Sequence, residues 1–325
     1  MKVNTTPAIK TKKGQVVIVF GAGASYGVSS CTPRNPPLST TLFLEMTKDF
    51  PVTWGVLPPY LKDVFNDTVP GSFERGMGLM LTEARESDKW NLKTYQKDLG
   101  QYFAGFRLGI GDDYSDPYTW FVKEFRSLLE SGIITIGSLN YDCLLDEAIQ
   151  KQGLKIAYKP GANGVKLDKI HGSCNFLPSI KLASLEHYAN KIIVPFEVES
   201  LDGLVDKIKN SQIQPAMRFF TKDKDNLTCS AELDAILFEF QSLVNDANLV
   251  IIIGVKPNPD DKHIWDHIMN TKAKVVLISP DDKCGEWLTN YRSGKYNRWY
   301  PMKFEECHTT LITEIEDEIK DRTNS

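Results

Sequence analysis

Apolar residues in this chain recur with two periods. Short runs at 16–20, 133–136, 249–253 and 275–278 are rich in valine and isoleucine, interrupted only by Thr135, and carry no polar alternation. Such runs predict strands buried on both faces, as in a parallel sheet. Between them, apolar positions return every three or four residues, which predicts amphipathic helices. Further short strands are expected at 155–158 and 165–170, at 192–194 within the otherwise irregular stretch 174–230, and near 299–304. Helices are expected in several pieces over 40–110, at 143–152, 202–209, 231–244 and 260–270, around Trp287, and at 309–321. Another is expected from Asp116, as N-cap with Pro117 in the first turn, to Gly132.

Strands alternating with helices imply an α/β fold, a doubly wound parallel sheet of the Rossmann-like kind. The helical stretch at about 40–110 and the irregular one at about 174–230 read as insertions, and residues 1–14 as a loose basic arm ahead of a single domain over 15–325. In such sheets ligands bind beyond the carboxyl ends of the strands. Five expected strands end in polar or glycine-rich turns, after Phe20, Ile136, Ile170, Ile253 and Ile278. That places Ser25, Asn140, Asp142, His171, Gly254 and Ser279 around one cleft, although they are far apart in sequence.

The first of these turns is Gly21-Ala22-Gly23-Ala24-Ser25. Its glycines permit a tight turn and leave backbone N–H groups open to a phosphate, which a helix beginning near Ala24 would favour. It is not a dehydrogenase fingerprint: the third glycine of GxGxxG would fall at Tyr26, and Glu45, at the right distance for a ribose acid, lies in an expected helix. The loop at 28–39 holds three prolines in twelve residues, cannot be a regular helix, and is placed to fold over a ligand.

Composition narrows the function less than the motifs do. The 325 residues are 42% hydrophobic and 25% charged, as in an ordinary globular protein. The net charge of −4 argues against general nucleic-acid binding. No apolar run is long enough to span a bilayer, and the start of the chain has no secretory core, so a cytoplasmic protein is expected. Six cysteines, at 31, 143, 174, 229, 284 and 307, form no CxxC pair, so no zinc and no other metal site is expected. His263 and His267, four apart on one helix face, have ligand spacing, but no third ligand is evident and they read as a solvated face. Taken alone, Asn140 reads equally as a helix cap, and Asp142 is explained by the dipole of the following helix.

GAGAS, SLNYD, KIHGS, a late apolar strand ending in glycine and a final strand ending VVLIS, in this order from Val16 to about Ser279, resemble the sirtuin superfamily. The closer resemblance is to the sirtuin-like domains of bacterial anti-phage defence systems. It implies that Gly21, Ala22, Gly23, Ala24 and Ser25 hold the pyrophosphate of NAD, with Gly254 and Ser279 on the same cofactor-binding side. It further implies that Asn140 sits by the nicotinamide ribose, that Asp142 braces that pocket, and that His171 acts on the ribose as general base or orienting group. The chemistry implied is cleavage of the nicotinamide–ribose bond of NAD, as substrate, to nicotinamide and ADP-ribose. The chain departs from the deacylase pattern: no four-cysteine ribbon follows the histidine, GTS is replaced by Gly254-Val255-Lys256, and Pro33, Arg34 and Pro37 only loosely occupy the GIPDFR region. These departures favour an NAD glycohydrolase over a protein deacylase. A non-cleaving module that senses NAD or an ADP-ribose derivative is the competing class. As a defence effector the enzyme would be restrained by homo-oligomerisation or by a partner such as an ATPase or a nuclease.

Overall fold

The computed structural model describes residues 15–66, 71–87, 89–109, 116–179, 194–218, 229–258, 261–293 and 296–323. Its centre is a seven-stranded parallel sheet: β1 (Val16–Phe20), β2 (Ile134–Ser138), β3 (Ile156–Ala157), β4 (Val165–Lys169), β5 (Leu249–Ile253), β6 (Lys274–Ile278) and β7 (Arg298–Tyr300). The spatial order is β7-β6-β5-β1-β2-β4-β3. From β1 the chain passes to β2, goes out to the edge at β3, steps back to β4 between them, and then returns to β5 on the other side of β1. This is the doubly wound arrangement expected from the sequence, with its crossover point at β1.

The unbroken apolar runs are explained by burial on both faces. Val16, Ile18 and Phe20 point into one core with Ile134, Ile136, Ile251 and Ile253. Val17 and Val19 point into a second with Val250, Ile252, Val275 and Leu277. Helices Ser39–Asp49, Pro59–Phe65, Ser72–Ser87, Leu92–Ala104, Pro117–Glu124, Leu144–Lys151 and His308–Thr323 supply the first face. Helices Ser230–Asp246, Lys262–Asn270 and Lys283–Tyr291 cover the second. Trp54, fully buried among Phe43, Phe65, Phe73 and Tyr95, is the centre of the helical insertion's own aromatic cluster.

Several boundaries differ from the sequence expectation. The helix from Pro117 has Asp116 as its cap, with Thr119 N donating to the carboxylate at 2.8 Å, but it breaks at Phe125 and resumes at Arg126–Glu130. The helix from Leu92 stops at Ala104, because Arg107–Leu108 pairs antiparallel with Cys31–Thr32, a ladder in a region expected to hold no strand. The stretch 174–230 contains a hairpin, Phe176–Pro178 with Phe196–Val198, whose phenylalanine rings stack at 4.0 Å. The strand expected at 192–194 falls mostly outside the described residues, and Val194 is irregular. The basic arm 1–14 also lies outside them. The strand expected at 299–304 is β7, followed by a single 3-10 turn, Phe304–Glu306.

Candidate functional site

Sheet register levels the five strand ends. Phe20 pairs with Ser138 and Ile253, Ser138 with Lys169, and Ile253 with Ile278. The turns that follow therefore emerge side by side, on both sides of the crossover.

The two glycine turns meet each other. Gly21 N donates to Ile253 O at 3.0 Å and Gly23 N to Gly254 O at 2.9 Å. Gly254 has φ +65°, and a Cβ there would lie 2.2 Å from Ala24 N. A Cβ on Gly23 would lie 2.9 Å from Gly254 Cα. These glycines are required for backbone-to-backbone approach. The expectation of open amides at Gly21 and Gly23 is therefore corrected: both are occupied, and Ala24 N donates to Gly21 O. The helix that follows, Ala22–Tyr26, is only five residues, so its dipole is small. Ala22 is the exposed member of the turn.

Ser25 lies beneath the turn, with no exposed surface, as the hub of a polar network. Its Oγ is 2.9 Å from Asn140 Nδ2, 3.0 Å from Tyr118 Oη and 3.3 Å from Asp142 Oδ1. Asn140 Nδ2 also donates to Gly21 O at 3.0 Å. A carbonyl only accepts, so the amide nitrogen must face it, which leaves Asn140 Oδ1 as the side chain's acceptor. A consistent direction then runs from the Tyr118 hydroxyl to Ser25, and from the Ser25 hydroxyl to Asp142. Asn140 is not a helix cap; the next helix begins at Leu144. Asp142 serves both readings, since its Oδ1 accepts from Leu144 N at 3.2 Å as well as from Ser25. Burial raises the Asp142 carboxyl above its ordinary range, against the pull of Lys169 and the bonds from Leu144 and Ser25.

Lys169 closes β4 inside the protein, 1% exposed. Its Nζ donates to Asp142 O at 2.5 Å and pairs with Asp146 Oδ2 at 3.2 Å, while Tyr158 Oη donates to Asp146 Oδ1 at 2.7 Å. Burial alone would lower the ammonium's pKa, but the carboxylates of Asp146 and Asp142 raise it on balance. The pair fixes the backbone of the turn that carries Asn140.

His171 follows at the end of β4 and is 5% exposed. Its carbonyl accepts from Arg218 N at 2.7 Å, and its ring lies 6.3 Å from that of Tyr141. Gly172 has φ +78°, and a Cβ there would fall 2.1 Å from Ala216 O. Cys174 N donates to Tyr141 O at 3.1 Å, so the Asn140 and His171 turns pack together. His171 Nε2 faces His263 Nε2 at 3.3 Å. His263, expected with His267 on a solvated helix face, instead faces the site, whereas His267 Nδ1 lies 3.3 Å from Asn245 Oδ1.

Ser279 stands apart. Its amide donates to Tyr300 O, its carbonyl accepts from Trp299 Nε1, and its Oγ accepts from Asp281 N. Next to it Lys256 pairs with Asp281 at 3.0 Å, across the gap between the ends of β5 and β6.

The proline-rich loop is tethered rather than loose. The strand pair at Cys31–Thr32 holds its start, Asn35 Nδ2 donates to Tyr26 O, and Arg34 reaches Asp49 at 2.6 Å and the Tyr102 ring at 5.6 Å. These contacts assign one purpose to the helical insertion: it anchors the loop beside the first glycine turn. Sequence reasoning gave no role to Tyr118, Lys169, Asp146 or Asp261. Only Lys169 carried a signal, as an ammonium at the head of KIHGS where the strand ends.

These observations define a doubly wound α/β protein with a polar, largely buried constellation at its crossover. No family model matches the chain, and no curated protein matches it. Solved structures do match over nearly their whole length. One is a Sir2 mutant with a p53 peptide and NAD, at 14% identity over 93% of this chain and 94% of that one, TM-score 0.43. A second is a mutant Sir2 homologue with 2′-O-acetyl ADP-ribose, at 15% identity, 93% and 92% coverage and TM-score 0.46. A third is a mutant Sir2 homologue with ADP-ribose, at 12% identity, 95% coverage of each chain and TM-score 0.42.

Proposed function

We propose that the chain is a sirtuin-like NAD hydrolase that converts NAD and water to nicotinamide, ADP-ribose and a proton. The observation that carries this reading is the bond from Asn140 Nδ2 to Gly21 O and Ser25 Oγ, which ties the residue assigned to the ribose to the turn assigned to the pyrophosphate. The pyrophosphate lies against the outer face of the turn at Ala22 and Gly23, whose partner turn at Gly254 holds it rigid. Ser25 acts from beneath, and Ser279 marks the far, adenosine end. Asn140 Oδ1 orients a ribose hydroxyl or the attacking water. His171 takes the proton as water adds to the ribose carbon and the bonding pair leaves with nicotinamide. Asp142 braces Asn140 through Ser25.

Hydrolysis is preferred to deacylation because the chain lacks the cysteine ribbon of the deacylases, and to sensing because both Asn140 and His171 are retained. The physiological role proposed is NAD depletion in anti-phage defence, in the cytoplasm, restrained by self-association or by a partner such as an ATPase or nuclease. Incubation with NAD, alone and with a candidate partner, tests the reaction by release of nicotinamide and ADP-ribose. Tight NAD binding without nicotinamide release would mark a sensor, and turnover only with an acylated peptide would mark a deacylase.

A further inference from the structure

We propose that His171, Asp261 and His263 form a binding site for a divalent metal ion of zinc's class, mounted on the candidate catalytic histidine. One ligand atom from each lies within 4.8 Å of the others. The two Nε2 atoms face each other at 3.3 Å. Two imidazole nitrogens bound to one tetrahedral zinc at about 2.0–2.1 Å sit about 3.4 Å apart, so the rings already hold the required spacing. Two imidazoles and a carboxylate suit zinc, cobalt, manganese or iron better than calcium or magnesium.

The three residues come from opposite sides of the crossover, and the backbone carbonyl of each is held by a hydrogen bond. The His171 carbonyl accepts from Arg218 N at 2.7 Å. The His263 carbonyl accepts from Gln241 Nε2 at 2.8 Å. Asp261 accepts at its backbone oxygen from Ile264 N and Trp265 N, and at Oδ2 from Asn258 Nδ2 at 3.3 Å. Such outer bonds hold metal ligands in place. The spacing of His263 and His267 gave no third ligand in the sequence, because the histidine that His263 faces is 92 positions away.

Three protein ligands leave a fourth position for water or an anion. A metal there takes the Nε2 electron pair of His171, so occupancy withholds the base from NAD cleavage. This consequence rests on the function proposed above; the metal site itself does not.

The test uses the tag-free chain stripped with chelator. Cobalt(II) is titrated with visible absorbance as readout, and zinc is measured by calorimetry and elemental analysis, without NAD. The expected result is saturable binding of one ion with a tetrahedral cobalt spectrum. Binding should weaken at least about tenfold in His263→Ala and in Asp261→Asn, and stay unchanged in His267→Ala. Absence of saturable binding by the wild-type chain overturns the proposal, as does wild-type affinity in folded His263→Ala or Asp261→Asn. A separate turnover arm adds zinc during NAD cleavage. Loss of turnover that His263→Ala relieves supports the inhibitory role, whereas full turnover with metal bound overturns it together with the role given to His171, and leaves the site standing.

Discussion

Gly254→Ala probes the contact between the two glycine turns most sharply. The residue has φ +65°, and forcing alanine into that region costs about 1–2 kcal/mol. Its Cβ would lie 2.2 Å from Ala24 N and 2.6 Å from Gly23 C, both backbone atoms. Relief to an ordinary separation of about 3.5 Å moves the turns apart by roughly 1 Å. That displacement breaks the bond from Gly23 N to Gly254 O, worth about 1 kcal/mol. The total is about 2–3 kcal/mol. With a urea m-value of about 3 kcal/mol/M, the midpoint falls by about 1 M at unchanged slope. NAD affinity, measured by calorimetry below the transition, should fall as well, because the displaced turn is the one assigned to the pyrophosphate. An unchanged midpoint together with unchanged affinity would mean that the two turns do not depend on this close approach.

Two further outcomes are expected. Tyr118→Phe removes the hydroxyl 3.0 Å from Ser25 Oγ; stability should fall by about 1 kcal/mol, read as a drop in Tm of about 2 °C, and NAD turnover should fall with it. Asp168, 1% exposed, has its carboxyl pushed up by burial to about 7, although Lys166 Nζ at 2.9 Å pulls it down. The folded chain thus holds a proton that the unfolded chain releases near about pH 4, so the group's contribution is greatest below pH 4 and is lost as pH rises through 7. Asp168→Asn should therefore gain up to about 4 kcal/mol over wild type at pH 8 and show little difference below pH 4, by denaturant unfolding across that range.

The sheet was legible because burial on both faces leaves an unmistakable mark: Val16–Phe20 and Leu249–Ile253 have no polar residue to hide. Their level strand ends then brought Asn140, Asp142 and Ser25 together, as the spacing of GAGAS and SLNYD required. What stayed hidden was what tertiary packing decides. Nothing local marks Tyr118, on an ordinary amphipathic helix, as the partner of Ser25. Nothing local tells that Gly21 and Gly23 direct their amides to Ile253 and Gly254 instead of a ligand. His263 was read by its helical neighbour His267, yet a helix turned toward the crossover gives it His171. The two-residue ladder at Cys31–Thr32 is too short to leave a periodic signal.

In the proposed reaction the glycine turn holds NAD and the strand-end residues Asn140 and His171 break it. The most direct measurement is NAD consumption with chromatographic detection of nicotinamide and ADP-ribose, for wild type, Asn140→Ala and His171→Ala, alongside NAD affinity for each. Wild-type turnover is expected, with a fall of about 10²- to 10⁴-fold in both variants and NAD affinity retained. Undiminished NAD in every assembly state of the wild type, or wild-type turnover in either variant, would contradict that reaction.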